Sequence, residues 1–271
     1  MPVGRMRPMG PFRMSFFARA TAPGLQLSLA VACALVFGAG PLAGAQQSPP
    51  PARFLLAPST PLPRDGTYIA NDRLAFTVDH RASQMRLRFL DNDEVFYLSS
   101  EPAPMGGRVM KYDTGAMALQ VTGWGGLTLY TMQAKSGLPA EYNEAVQNVD
   151  PLPVAATEVK AFAAKLAQDL SASEDFAVGF AADWDNLALI DTLRALACDS
   201  MRNVTYALKD VARTGRRALI SDRVHIIRIV QGTKPGVTLQ KGILAVTIAP
   251  QMGPSARPSS LAIAQVLQAA F

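Results

Sequence analysis

The sequence predicts an α+β protein in which an N-terminal antiparallel β-meander is followed by a helical pair and a C-terminal antiparallel strand pair. Three observations carry this prediction. Apolar residues alternate with polar ones between residues 67 and 132, they recur at helical spacing between 159 and 211, and β-branched residues dominate 224–230. Alternation is typical of half-buried antiparallel strands, and recurrence every three to four residues is typical of helices.

Residues 1–45 have the features of a secretory signal peptide. An apolar run, Leu25–Phe37, follows four arginines and no acid, and it precedes Ala43-Gly44-Ala45. A basic start, a short apolar core and small residues at the cleavage site indicate export, with cleavage after Ala45. The run of about 13 residues is shorter than the ~20 that a membrane-spanning helix needs, so an anchor is the weaker interpretation. A true start at Met14 would give a leader of ordinary length, and the expected location is periplasmic or secreted.

The expected mature chain is nearly neutral and has one thiol. Removing the four leader arginines leaves 26 − 4 = 22 basic residues against 21 acidic ones. A net charge of about +1 gives no electrostatic reason to expect a nucleic-acid partner. Cleavage also removes Cys33 and leaves Cys198, so we expect no disulfide and a buried thiol. Residues 46–66 contain six prolines and are predicted to be a linker.

The meander is predicted over residues 67–135 as five or six strands. Leu74, Phe76 and Val78 share one face of the first clear strand, and Met85 and Leu87 continue the pattern in the next. Clusters rich in Gly, Pro, Asp and Asn separate the strands, as turn chemistry requires. These clusters are Asp79–Ser83, Asp91–Asp93, Pro102–Gly107, Asp113–Gly115 and Gly123–Gly126.

Residues 136–249 are predicted to hold two helices and a strand pair, packed with the meander as one domain. Asp150-Pro151 would open the first helical region, and Asp183 or Asp185 would cap a long second helix that ends at Gly215. A short strand is expected within Phe176–Ala181 between them. Strands at 224–230 and 237–248 would form the final pair, with a bulge at Lys241-Gly242 where the apolar phase changes.

Residues 250–271 are expected to be a loop and an apolar tail, Leu261–Phe271, whose conformation the sequence leaves open. Leu267, Ala269 and Phe271 alternate toward a terminal aromatic, as the last strand of an outer-membrane barrel does. The helical pattern of residues 157–214 argues against such a barrel, which needs strand alternation throughout. An outer-membrane-associated protein therefore stays a remote alternative.

One stretch carries a family resemblance. Phe96-Tyr97-Leu98, Arg108-Val109, Tyr112 and the segment Leu119–Thr131 resemble an uncharacterised family of exported alphaproteobacterial proteins, described as a domain of unknown function. The resemblance implies a bacterial envelope setting. It implies no activity, cofactor or site.

Candidate catalytic and metal residues are few. His80 next to Asp79 is the one acid–base pair that could serve a hydrolase, although a turn histidine is the simpler interpretation. His225 lies in an apolar strand and is expected in the core. Two separated histidines and one cysteine lack the spacing of a zinc site, and Asp91–Glu94 lacks the later ligands of a calcium loop. No metal and no cofactor is expected.

Candidate binding residues are Arg86, Arg88 and Trp124. The two arginines, together with Arg81 and Arg108, could line a sheet face that binds an anionic group, or they could simply be solvated. Trp124 could stack on a ligand or fold over the sheet edge. The sequence therefore favours an exported, non-catalytic binding or structural module that contacts an envelope component or a small ligand. The alternative is a periplasmic hydrolase that uses His80 and Asp79.

Overall fold

The computed structural model describes residues 62–81, 84–145 and 150–271 of the 271-residue chain, and these fall in one compact unit. The predicted signal peptide, its cleavage site after Ala45 and most of the linker lie outside the described residues. So do residues 82–83 and 146–149.

The first half of the described chain is a closed antiparallel barrel of eight strands. The strands are β1 Gly66–Ala70, β2 Leu74–Arg81, β3 Gln84–Phe89, β4 Val95–Ala103, β5 Gly107–Lys111, β6 Met117–Val121, β7 Leu127–Leu129 and β8 Leu138–Glu144. Each strand pairs with its sequence neighbours, and β8 returns to pair with β1. The predicted antiparallel strands are thus present, but there are eight of them instead of five or six, and they close into a barrel. Its closure by β8 lies beyond the predicted end at residue 135.

The barrel interior is filled by side chains. Alternate residues of every strand point inward and form one apolar cluster that includes Phe76, Leu87, Met110 and Leu129. A chain of aromatic contacts runs through it, from Tyr68 on Phe76 at 5.6 Å to Phe96 on Tyr112 at 5.2 Å between ring centroids. Eight strands leave an interior that side chains just fill, so the barrel is a packed core.

The second half of the chain places helices against one face of a four-stranded sheet. The helices are α1 Val159–Glu174, α2 Trp184–Leu189, α3 Asp191–Val211, α4 Arg217–Arg223 and α5 Ser260–Ala270. The strands are β9 Gly179–Ala181, β10 Ile226–Gln231, β11 Gly236–Gln240 and β12 Ile243–Ile248. Strand residues such as Ile227 and Val246 pack with helix residues such as Met201, Leu208 and Ile263 in a second core.

The C-terminal strands are arranged differently from the predicted antiparallel pair. The sheet order is β11-β12-β10-β9, and β10 runs parallel to both β12 and β9. Lys241 and Gly242 form a two-residue turn between β11 and β12, and both have positive φ (48° and 80°). The prediction of a bulge there is wrong. A two-residue hairpin instead pairs Leu239 with Leu244. The apolar residues of both strands therefore lie on the same face of the sheet, toward the helices.

The predicted helices form, with different ends. α1 begins at Val159 instead of near Asp150-Pro151. Asp183 caps α2, but the chain leaves the helical conformation at Ile190, so the long predicted helix is split into α2 and α3. Gly215, with φ 84°, lies in a π-helical turn that links α3 to α4. The strand predicted within Phe176–Ala181 is confirmed as β9.

The apolar tail is a helix. Ser259 caps α5 by accepting a hydrogen bond from the Ala262 amide at 3.1 Å, and Ile263 and Leu267 face the core. The strand-like alternation of Leu267, Ala269 and Phe271 is therefore accidental. Within the described residues, no helix has the length and apolar character that crossing a membrane requires.

Candidate functional site

Arg86 is buried in an ion-pair network on the outer face of the barrel. Its Nε donates to Asp79 Oδ1 at 2.7 Å, one terminal nitrogen donates to Asp79 Oδ2, and the other donates to Asp150 Oδ1 at 2.5 Å. The hydrogen bond to Asp79 raises the pKa of Arg86. Burial acts to raise the pKa of Asp150, but the hydrogen bonds from Arg86 and Arg81 outweigh it and lower that pKa. All three nitrogens of the Arg86 guanidinium are therefore occupied by Asp79 and Asp150, and the residue stabilises the fold.

His80 and Asp79 do not form the pair that the sequence suggested. Both lie in β2 instead of in a turn, and because neighbouring strand residues point to opposite faces, their side chains diverge. Asp79 points outward to Arg86. His80 points inward, and its Nδ1 contacts the Asp65 carboxylate. The structure thus brings an acid to His80, but the acid is Asp65.

Arg88 and Trp124, the other two predicted binding residues, lie on different elements: Arg88 is in β3 and Trp124 is between β6 and β7. Arg88 donates from Nε to the Asn92 carbonyl at 3.1 Å and from a terminal nitrogen to Asp93 at 2.9 Å. This tightens the turn that the sequence predicted at Asp91–Asp93. Trp124 lies in the β6–β7 turn and is 76% exposed. It does not fold back over the sheet.

A junction of mostly buried polar groups joins the barrel to α5, and sequence reasoning missed it. Asp113, in the β5–β6 turn, accepts from the Ser259 amide at 2.8 Å and from the Ser259 hydroxyl at 2.6 Å. Glu94, which precedes β4, accepts from the Ser260 amide at 2.7 Å and from the Ser260 hydroxyl. Two carboxylates of the barrel therefore occupy the N-terminus of α5, where unsatisfied amides and the helix dipole favour anions.

Burial raises the pKa of Glu94 to about 7, although the Ser260 hydrogen bonds and the nearby Arg257 act to lower it. Arg257 is itself buried, and its guanidinium donates to Asp199 on α3 at 3.2 Å and to the Val95 carbonyl at 3.2 Å. It also lies 5.6 Å from the centre of the Tyr97 ring. Arg257 therefore bridges the barrel and the helical layer, beside a cleft of about 270 Å³ that Tyr97, Asp113 and Ser255 also line.

A larger cleft of about 340 Å³ lies at the carboxyl ends of the three parallel strands. Apolar side chains supply much of its lining, including Leu187, Leu193 and Ile248. Two charged residues line it, Asp183 and Arg228. Asp183 is engaged by the backbone and side-chain nitrogens of Asn186, at 3.3 and 2.6 Å, whereas Arg228 has no hydrogen bond or ion pair within the described part of the chain. Crevices at this edge are where α/β sheets usually bind ligands.

The model of a domain of unknown function, DUF4908, matches residues 55–267. The chain belongs to the DUF4908 family. The match spans the barrel, the junction and nearly all of the second sheet with its helices, so the DUF4908 domain contains both halves of the fold. No curated protein and no solved structure matches the chain.

The described part of this DUF4908 chain has no cluster of three or more His, Cys, Asp or Glu residues that could hold a metal ion. His225 is predicted from the sequence to lie in the core of a strand, but it is exposed and lies just before β10. It contacts the Lys241-Gly242 turn, because a Cβ added to Gly242 would lie 2.7 Å from the imidazole. One sequence signal was available for the missed junction. Ser259 directly before an apolar run is the pattern of a helix N-cap, which predicts α5. Nothing in the sequence indicates that Glu94 and Asp113 reach this cap.

Proposed function

We propose that this DUF4908 protein is exported and acts in the bacterial cell envelope as a non-catalytic binding module. The observation that carries the binding role is the cleft at the carboxyl ends of β9, β10 and β12. It combines an apolar wall with the Arg228 guanidinium, which has no partner among the residues the structure describes. A few polar groups in a mostly apolar concavity are typical of small-molecule sites.

The chemistry of the cleft favours a ligand that has an anionic group and an apolar body. A guanidinium presents fixed donors that match a carboxylate or a phosphate. Leu187, Leu193 and Ile248 would contact the apolar part. The polar residues elsewhere in the fold support a binding role over catalysis, because Arg86, Asp79, Glu94 and Asp113 are hydrogen-bonded to other protein groups.

The binding role is tested by substituting Arg228. The protein is purified from its native cells, and small molecules that it retains are identified by mass spectrometry after denaturation. We expect an amphipathic anion to co-purify with the unaltered protein and to be lost from Arg228→Gln. Arg73→Gln, an exposed change in the β1–β2 turn, is the matched control. Equal retention by both variants would remove Arg228 from the binding role.

The export proposal rests on the arginines, the apolar run and the small residues of positions 1–45. N-terminal sequencing of the protein from its native cells should start at Gln46, and cell fractionation should place it in the periplasm or the medium. Recovery with the outer membrane would favour the remote alternative of an outer-membrane-associated protein. An unprocessed cytosolic product would contradict export.

The hydrolase alternative now depends on the contact between His80 and Asp65. A carboxylate on Nδ1 can orient an imidazole for acid–base catalysis, as a catalytic aspartate does. Screening hydrolase substrates with the unaltered protein, His80→Gln and Asp65→Asn separates the two proposals. A hydrolytic activity abolished by His80→Gln at unchanged thermal stability would favour the enzyme over the binding module.

A further inference from the structure

Two inward-facing basic residues lie at one end of the barrel. His80 follows Phe76 and Val78 on the inward face of β2, and Arg108 precedes the buried Met110 on the inward face of β5. β2 ends and β5 begins at the end of the barrel where β2–β3, β4–β5 and β6–β7 connect. We call this end, with His80, Ser100, Arg108 and Tyr142, the lower mouth.

Arg108 carries a positive charge that no carboxylate balances within the described residues. One terminal nitrogen donates to the Ser100 hydroxyl at 2.9 Å, and Nε is buried without a hydrogen-bond partner there. A charge partly withdrawn from water is costly unless an opposite charge or several hydrogen bonds compensate it. A neutral hydroxyl supplies only one such bond. The guanidinium is therefore suited to an anion that is not part of the described protein.

His80 contributes a second unsatisfied atom. Its Nδ1 contacts Asp65, and its Nε2 is buried with no hydrogen-bond partner in the described part of the chain. His80 Nε2 and Arg108 Nε are the two buried side-chain atoms without a hydrogen-bond partner among the described residues. Imidazole Nε2 accepts a hydrogen bond in the neutral ring and donates one in the charged ring. A phosphate group, which has both hydroxyl and anionic oxygens near neutral pH, fits either state.

We propose that the lower mouth binds a phosphate or phosphate-ester group between Arg108 and His80. Both side chains project into the barrel at this end, and an eight-stranded barrel is narrow enough for side chains from facing walls to meet in its interior. We therefore expect one small group to reach both residues. The rim adds Tyr142, whose ring centre lies 4.6 Å from the Arg64 guanidinium carbon. This site is separate from the Arg228 cleft, and it does not depend on the proposed export or binding role.

The rim also bears two exposed apolar side chains. Met105, in the β4–β5 connection, is 79% exposed, and Trp124, in the β6–β7 turn, is 76% exposed. Their loops are in contact, since a Cβ on Gly123 would lie 2.5 Å from the Met105 carbonyl oxygen. A phosphate group in the mouth could thus be free or could belong to a molecule, such as a phospholipid, whose apolar part contacts this rim.

Inorganic phosphate is the first probe. The full-length chain is expressed with its leader, purified after the processing that the cell performs, and titrated with phosphate by isothermal titration calorimetry in a phosphate-free buffer. We expect one saturable site. Arg108→Gln should weaken binding at least tenfold and His80→Gln several-fold, whereas Arg73→Gln and Arg228→Gln should leave it unchanged.

Absence of a saturable site, or equal weakening by Arg73→Gln, would overturn the proposal, because the effect would then be absent or due to net charge. Since Arg108→Gln could also impair folding, the unaltered protein provides a second measurement. Phosphate should shift the ¹⁵N resonance of His80 Nε2 and leave that of His225 unchanged. If neither histidine or both respond, the lower mouth is not the site.

Vesicles distinguish the two sources of phosphate. In a Trp184→Phe background, the remaining tryptophan emission of the processed chain reports on Trp124. A blue shift with vesicles of phosphatidylglycerol and phosphatidylcholine, absent with phosphatidylcholine alone and abolished by Arg108→Gln, would identify the lipid headgroup as the source. Phosphate binding in calorimetry without this shift would identify a free phosphate.

Discussion

Glu94 shows how one buried side chain can make stability depend on pH. Its carboxylate lies between the barrel and α5, facing Ser260, Arg257, Asp113 and the ring of Tyr112, whose own pKa is raised by burial and by Glu94. Burial disfavours the charged form more than the Ser260 hydrogen bonds and Arg257 favour it. The folded protein therefore holds this proton more tightly than the unfolded chain does.

We expect Glu94 to reduce stability as pH rises. Between its ordinary pKa of 4.5 and its folded value of about 7, the folded state binds the proton and the unfolded state releases it. The free energy of unfolding must then fall across this window. Glu94→Gln keeps an acceptor for the Ser260 amide and removes the titration. When the pH rises from 5 to 8, the free energy of unfolding of this variant should therefore fall by about 2 kcal/mol less than that of the unaltered protein.

Urea denaturation of both proteins at pH 5, 6, 7 and 8 measures this difference. Other titrating groups are shared, so their contributions cancel in the comparison. Asp169→Asn, which removes an exposed carboxylate paired with Lys165, is the control and should leave the pH profile unchanged. Parallel pH profiles for Glu94→Gln and the unaltered protein would show that Glu94 does not titrate in this window.

Cys198 behaves as the sequence predicted. It is buried in α3, and burial raises the pKa of its thiol to about 11. A thiol that stays protonated is a poor nucleophile, so this residue is protected from oxidation in an oxidising compartment. Its burial is compatible with the proposed export.

Among the elements, the β11–β12 hairpin decides the sheet order. Its turn needs positive φ at both Lys241 and Gly242, which glycine tolerates and other residues adopt with strain. The hairpin places β12 between β11 and β10, so β10 and β12 become parallel neighbours. This order aligns the carboxyl ends of β9, β10 and β12 around the proposed cleft.

Substituting Gly242 should therefore destabilise the second half of the fold. Gly242→Ala would place a Cβ 2.7 Å from the His225 ring at a φ of +80°. We expect a loss of roughly 2 kcal/mol or more, measured by urea denaturation, from left-handed strain and the displaced ring. Gly236→Ala, at a β11 position with nothing within 4 Å of the added Cβ, is the control and should change little. Equal effects would mean that the turn geometry is not what matters.

Substitutions in the C-terminal tail, Leu261–Phe271, distinguish a helix from a strand. In a strand, Leu267 and Ala269 share a face, whereas in α5 Leu267 is buried and Ala269 is exposed. Leu267→Ala should cost roughly 2–5 kcal/mol, because it leaves a cavity in the second core. Ala269→Glu should change the free energy of unfolding by no more than about 0.5 kcal/mol. Comparable losses from both variants in chemical denaturation would contradict the helical assignment.

At the scale of the whole molecule, buried polar groups join two separate apolar cores. Arg257 reaches the Val95 carbonyl of the barrel and Asp199 of α3, and Asn203 on α3 donates to the Pro258 carbonyl at 2.9 Å. Glu94 and Asp113 hold the start of α5 from the barrel side. Because these groups are satisfied only when both halves are in contact, the two cores should unfold together.

We expect one cooperative thermal transition for the unaltered protein and a large loss of stability for Arg257→Ala. The change removes the ion-pair partner of Asp199 and the donor to the Val95 carbonyl, and breaking a buried ion pair typically costs roughly 3–5 kcal/mol. Arg213→Ala removes an exposed pair with Asp210 and should cost at most about 1 kcal/mol. Calorimetry and near-ultraviolet circular dichroism report these transitions. A loss at position 257 no larger than at position 213 would show that the junction adds little to stability.

Local patterns were sufficient for most elements of the fold. Alternation located strands such as β2 and β3, helical spacing located α1 and α3, and turn residues located the breaks at Asp91–Asp93 and Gly123–Gly126. Those signals are carried by neighbouring residues, so they can be read along the chain. Closure of the barrel by β8 could not be read this way, since it depends on β8 pairing with β1 at the far end of the meander.

The sequence by itself determined the classes of secondary structure, the burial of Cys198 and the near-neutral charge of residues 46–271, because each follows from composition or local spacing. Only the tertiary structure decided which charged residues meet. His80 contacts Asp65, Arg86 reaches Asp150, and Glu94 reaches Ser260 across 166 residues of sequence. Such pairs form because a closed barrel and a docked helix bring distant backbone together. Hydrogen bonds at that range leave no periodic trace in the sequence.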